Sequence, residues 1–268
     1  MRSSPLFTQE LGAGHRLLAF LPGLGGTSRY WEHRVTPLAA ANRLLLVDPL
    51  GFGRSPKPWT RYSVDRHVSE LHRVLDGRGP VTLVGHSVGA ILSIAYAARY
   101  PRDVLGLALL GLPVFHGEVE AKRFFHSRRS PERWITSNVI LASLACVVTR
   151  RLLRRALPRL LPDLPRDVVE DLVQHTWRSS TSTLWEAIYR FNVWRAADAL
   201  VPGLPVMLMH GERDATAPLA GVQELAARHG RWTLRVLAGG DHHLLLRDAP
   251  WCLAGIRSVI DSVPEGNT

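Results

Sequence analysis

Residues Val81-Thr82-Leu83-Val84-Gly85-His86-Ser87-Val88-Gly89-Ala90-Ile91-Leu92 restrict the fold more than any other stretch, because a short apolar run meets a G-x-S-x-G pentapeptide and passes straight into a helical pattern. This reads as a buried strand, a tight turn and a helix. A serine hydroxyl is a poor nucleophile until a base takes its proton. Ser87 at the tip of such a turn is exposed to both substrate and base. Gly85 and Gly89 flank it where a Cβ would crowd strand against helix. The helix N-terminus turns its N–H groups toward the serine, which makes Val88 N–H a candidate donor to a developing oxyanion.

The rest of the chain alternates apolar runs with helical patterns, which predicts a mainly parallel sheet covered by helices on both faces. Strands are expected at Arg16–Leu21, Leu44–Asp48, Val81–Gly85, Val104–Gly111, Pro205–His210 and Thr233–Leu237. Helices are expected at Trp31–Ala41, Ser63–Leu75, Val88–Arg99, Leu219–Arg228 and Pro250–Val263. Between Pro113 and Ala199 the alternation stops. That segment shows only helical patterns broken by Pro131, Pro158, Pro162 and Pro165 and rich in Trp, Phe and Arg. The expected organisation is an α/β core formed by residues 1–112 and 200–268, with residues 113–199 as an inserted all-helical domain.

Five features in order then carry a resemblance: P-G-L-G-G at 22–26, D-P-L-G-F-G-R-S at 48–55, G-H-S-V-G at 85–89, G-E-R-D at 211–214 and G-G-D-H-H at 239–243. The chain resembles the α/β-hydrolase superfamily over nearly its whole length outside the insertion. The resemblance implies a nucleophile, acid, histidine order in which Ser87 is the nucleophile and Asp214 the orienting acid. For the histidine it favours His243, since Asp248 and Pro250 follow it at the usual five and seven positions; His242 then becomes a loop residue beside the site. It also implies an oxyanion hole from the N–H groups of Leu24 and Val88. In this chain the common H-G start of the first loop is replaced by Pro22-Gly23. The insertion becomes a cap that selects the substrate, and Gly23, His86, Trp134, Trp177 and His242 are the residues expected to border the pocket. The plainer role of His86 is packing, and most cap aromatics are expected to pack helix on helix.

The implied activity is hydrolysis of a carboxylic ester, thioester or lactone of a fairly apolar small molecule through an acyl-enzyme. Acyl transfer, lactonisation or cyclisation at the same triad stays open. So do C–C bond hydrolysis, which Leu244 after the histidine disfavours, and a binding protein that kept the fold without turnover. No cofactor or metal is expected; His67 and His72 stand five apart and do not share a helix face. The formal charge of +10 tempts toward nucleic acid, yet only Lys57 and Lys122 are lysines, and an arginine excess of this kind follows from a GC-rich coding sequence. Without a recognisable nucleic-acid module, no such partner is expected. The basic amphipathic stretch Arg150–Arg159 leaves a weak membrane-surface association open, but no apolar run is long enough to span a bilayer. Two cysteines argue against a disulfide framework, and the absence of a signal-peptide core points to a cytoplasmic protein.

Overall fold

The computed structural model describes residues 5–127 and 164–263, with 144, 147–149, 159 and 162 between them. Seven strands form one sheet in the order β1-β3-β2-β4-β5-β6-β7: β1 Thr8–Leu11, β2 Arg16–Leu21, β3 Asn42–Val47, β4 Val81–His86, β5 Val104–Leu110, β6 Val206–Gly211 and β7 Thr233–Leu237. All neighbours pair in parallel except β1 on β3. The inner strands read as continuous apolar runs because both faces are covered. Alternate residues enter opposite cores: Leu17, Ala19, Leu21, Leu45, Val47, Val81 and Leu83 on one face, Leu18, Phe20, Leu44, Leu46 and Val84 on the other. Helices α1 Val64–Leu75 and α2 Val88–Arg99 cover the first face, and α9 Ala249–Asp261 covers the second. The expected fold class is therefore what the chain adopts.

Three local expectations need correction. Strand β1 is additional. It is a polar edge strand held by backbone pairing from Thr8↔Val47 to Leu11↔Leu44, so it carries no apolar alternation to reveal it. The expected helix over Trp31–Ala41 is instead a chain of turns, with 3₁₀ turns at Ser28–Tyr30 and Thr36–Leu38. Pro37 lacks an N–H and its ring opposes the carbonyl four residues back, so an α-helix cannot run through it. Trp31, Val35 and Leu38 still reach the core. A short helix, α8 Leu244–Arg247, precedes α9, whose start is capped by the Asp248 carboxylate accepting Trp251 N–H at 2.9 Å.

The elements among the described residues of 113–199 are α3 Glu118–His126, α4 Arg166–Asp171, α5 Trp177–Leu184, a π-helical turn Trp185–Arg190 and α6 Val193–Asp198, with an isolated antiparallel bridge from His175 to Phe52. Phe115, Phe124, Phe125 and Tyr189 pack in tilted and edge-to-face pairs, with neighbouring centroids 5.3–6.0 Å apart, and so hold these helices together. Helix α5 is pinned to the core through Ser179 Oγ–H to Gly51 C=O at 2.9 Å and Tyr62 N–H to Ser182 Oγ at 2.9 Å. Trp134 and residues 150–158 of the basic stretch Arg150–Arg159 lie outside the described residues. Among the described residues no helix is long and apolar enough to cross a membrane. The remaining helix of the core, α7 Leu219–Arg228, connects β6 to β7.

Candidate active site

Strand β4 is the middle strand of the sheet, and Ser87 follows its last residue directly. The Ser87 backbone has φ 54° and ψ −117°, and among the described residues it is the one non-glycine at positive φ. Such a conformation costs roughly 1–3 kcal/mol and persists only where its surroundings impose it. Here Ser87 N–H donates to Leu110 C=O at 2.8 Å, and the flanking glycines let α2 close on the sheet. A Cβ on Gly89 would lie 2.1 Å from the Leu21 carbonyl oxygen, and one on Gly85 2.5 Å from the Gly89 carbonyl oxygen. The turn thus holds a buried serine, 7% exposed, at the C-terminal sheet edge, where ligands bind in open parallel sheets.

Asp214 arrives at that edge after β6. Its Oδ1 accepts the N–H groups of Thr216 and Ala217 at 2.7 and 2.8 Å, which fixes the carboxylate. Its Oδ2 accepts from Nδ1 of His242 at 2.7 Å. The histidine expected from the spacing, His243, is therefore not the one on the acid. His243 donates its backbone N–H to Asp241 Oδ1 at 2.9 Å and begins α8, while its ring turns toward Tyr30 and His86. Counting back from the start of α9 fails because α8 intervenes, and adjacent residues in non-helical chain point to different sides. Asp241 meanwhile pairs with Arg247, and Glu212 accepts Gly239 N–H, so neither competes for a histidine ring.

The electrostatics agree with this arrangement. Burial alone pushes the Asp214 carboxyl up, but the His242 hydrogen bond and charge, the Ala217 N–H and His210 outweigh it and hold the group below its ordinary value. An ionised Asp214 accepting from Nδ1 leaves Nε2 of His242 as the basic nitrogen. Burial, reinforced by the neighbouring His242, drives His243 down to about 4, and its Nδ1 has no hydrogen-bond partner among the described residues. His86 is pushed well below its ordinary value by burial. Its Nε2–H donates to His242 C=O at 2.9 Å while its ring stacks on Tyr30 at 4.9 Å. His86 thus ties the residue before the serine to the backbone of the histidine on the acid, a function beyond the packing expected of it.

The glycine-rich loop follows β2. Gly23 lies against the serine: a Cβ there would stand 3.0 Å from His86 Nδ1 and 3.2 Å from Ser87 Cβ. Gly26 N–H donates to Gly23 C=O at 3.0 Å, closing a turn around Leu24 and Gly25. Among the described residues, neither Leu24 N–H nor Val88 N–H donates to a protein acceptor. Trp177 sits 37% exposed against exposed Trp59, with ring centroids 6.0 Å apart. His67 and His72 are separately engaged, with Thr183 Oγ1 at 3.0 Å and the Tyr96 hydroxyl at 3.1 Å. Three residues near the site escaped the sequence reading. His210 stands 3.5 Å from Asp214 Oδ2, four residues before it, and the buried pair Thr27 and Asp171 joins chain segments 144 residues apart, which no local pattern signals. Among the described residues, no group of three or more His, Cys, Asp or Glu side chains converges to hold a metal ion.

Residues 16–249 match the family model described as the alpha/beta hydrolase fold. A probable lysophospholipase of Arabidopsis thaliana, BODYGUARD 3, is 31% identical over 138 residues, 47% of this chain and 28% of that protein. A haloalkane dehalogenase of Mesorhizobium japonicum is 32% identical over 131 residues, 46% of this chain and 42% of that one. The chain thus spans less than half the length of these curated relatives. Among solved structures, one from a study of carboxylesterases of the thaumarchaeon Nitrososphaera gargenis superposes with a TM-score of 0.74 at 20% identity, covering 97% of this chain and 99% of that one. At that identity the likeness is one of fold.

Proposed function

The chain belongs to the alpha/beta hydrolase fold family, and from that premise we propose that it is a serine hydrolase cleaving a carboxylic ester, thioester or lactone of a fairly apolar small molecule through an acyl-enzyme. The observation that carries this reading is the His242–Asp214 hydrogen bond of 2.7 Å at the same sheet edge as the strained Ser87 turn. His242 Nε2 takes the Ser87 proton as Oγ attacks the carbonyl carbon, while Asp214 holds the Nδ1 proton and stabilises the imidazolium. The leaving group departs with that proton, and water repeats the attack on the acyl-enzyme. Leu24 and Val88 N–H receive the negative oxygen; one such donor typically lowers the barrier by about 3–4 kcal/mol. The insertion between residues 113 and 199 serves as the cap. An apolar acyl group is supported by the chain leaving the site, where Leu112, Val114 and Phe115 are buried in one cluster with Val88 and the partly buried Leu24.

A fluorophosphonate probe tests the reading on wild type and Ser87→Ala, with a chain-length series of chromogenic esters beside it. Labelling and turnover in wild type alone are expected. Equal labelling of both proteins would remove Ser87 from the mechanism, and transfer of the acyl group to an added alcohol without free acid would replace hydrolysis by transfer.

A further inference from the structure

The glycine-rich loop that carries Leu24 ends in Thr27 and Ser28, and two buried carboxylates hold it from different sides. Asp48, just past β3, accepts Ser28 N–H at 2.7 Å and Arg54 N–H at 2.8 Å. Asp171 comes from the helical insertion, at the end of α4. One of its oxygens accepts the Thr27 hydroxyl, and the other accepts Arg29 Nη1 at 2.9 Å and Gln174 Nε2 at 2.6 Å. The Thr27 hydroxyl oxygen in turn accepts Arg29 N–H at 3.2 Å. Asp171 is 2% exposed and Thr27 3%. The next residue, Leu172, closes on the turn itself: a Cβ on Gly25 would meet Leu172 Cδ2 at 3.4 Å.

A buried carboxylate is a poor way to gain stability, since its desolvation cancels much of what its partners return, but it fixes geometry well. Burial pushes the Asp171 carboxyl up, and it is the contacts with Thr27 and Arg29 that oppose this. Every one of its side-chain partners except Gln174 belongs to the loop that leads out of the serine site. We propose that Asp171 is a positioning residue that sets the oxyanion loop from the insertion, so that the aim of Leu24 N–H depends on where α4 sits. Only Gly25 and Gly26 separate Leu24 from Thr27, and the Gly26–Gly23 hydrogen bond makes that interval a closed turn, so a shift of Thr27 moves Leu24 with it. The same contact links substrate selection by the insertion to stabilisation of the oxyanion. This inference rests on the assignment of Ser87 and Leu24 made above.

The test combines a kinetic and a non-kinetic measurement on the full chain. Amide hydrogen exchange over residues 22–31 and steady-state hydrolysis of a p-nitrophenyl ester are compared in wild type, Asp171→Ala, Asp171→Asn, Thr27→Val and the Asp171→Ala/Thr27→Val double variant. In Asp171→Ala, exchange over 22–31 is expected to accelerate about tenfold with 81–92 unchanged. Its kcat should fall about 100-fold with KM within about threefold, the signature of a donor misplaced only for the transition state. Asp171→Asn, which keeps an acceptor for the Thr27 hydroxyl, should recover most of both. Thr27→Val should match Asp171→Ala, and the double variant should be no worse. Unchanged exchange in Asp171→Ala and Thr27→Val overturns the inference, as does faster exchange with kcat untouched. Should Asp171→Ala fail to fold, Thr27→Val removes the same hydrogen bond from the other side and decides alone. Faster exchange in a protein whose wild type neither turns over nor labels with fluorophosphonate supports the hold of Asp171 on the loop and counts against Ser87.

Discussion

Asp241, His242 and His243 stand side by side in the sequence, and their environments separate them. His242 faces Asp214, Asp241 caps the His243 N–H and pairs with Arg247, and His243 is enclosed near Tyr30 and His86. His242→Ala is therefore expected to lower kcat by about a thousandfold or more, and His243→Ala by less than about tenfold. Steady-state kinetics on the two single variants checks this, and the reverse ranking would return the base to His243. The tight turn at Ser87 was legible from its motif, and the family resemblance pointed to Asp214 after β6, where it meets a histidine. The choice within the histidine pair was not, because it turns on which ring a one-residue step brings to the acid, and α8 shifts the count from which the register was read.

At the scale of elements, close approach governs the site. Helix α2 can follow β4 and still lie against β2 because Gly89 has no side chain; Gly89→Ala would put a methyl group 2.1 Å from the Leu21 carbonyl oxygen, and neither backbone can yield. The substitution is expected to destabilise the fold by about 3 kcal/mol, read as a lower midpoint in urea unfolding. A loss under about 0.5 kcal/mol would mean that α2 is free to move off the sheet. The strands and long helices were legible because both-face burial writes continuous apolar runs and a 3.6-residue period. Strand β1 and the turns over 28–38 were not: the first is held by main-chain pairing, and the second keeps apolar residues near helical spacing while Pro37 forbids the helix.

Taken as a whole, the molecule buries several histidines in their neutral form, and that sets its response to acid. Burial lowers His67 to about 4 and, with the nearby His242, lowers His243 to about 4; His86 and His210 move in the same direction. In the unfolded chain these groups take up protons near 6.5. The stability they confer is therefore fully present above that pH and is lost as pH falls from about 6.5 toward 4, at about 1.4 kcal/mol per pH unit for each histidine titrating only when unfolded. Asp214, held below its ordinary value, contributes stability present above the unfolded carboxylate value and lost only at lower pH still. Urea unfolding at pH 7 and pH 5 should show the steeper loss, and His67→Asn should make it shallower; an unchanged slope would mean that His67 is protonated in the fold. His67 also joins α1 to α5 through Thr183, so the acid response reaches the contact between core and insertion. By itself the sequence determined the parallel sheet and the serine turn, because these rest on local periodicity and a short motif. Tertiary structure alone decided that His242 meets Asp214 and that Asp171 holds Thr27, because each pairing joins distant segments whose approach depends on the packing of everything between them.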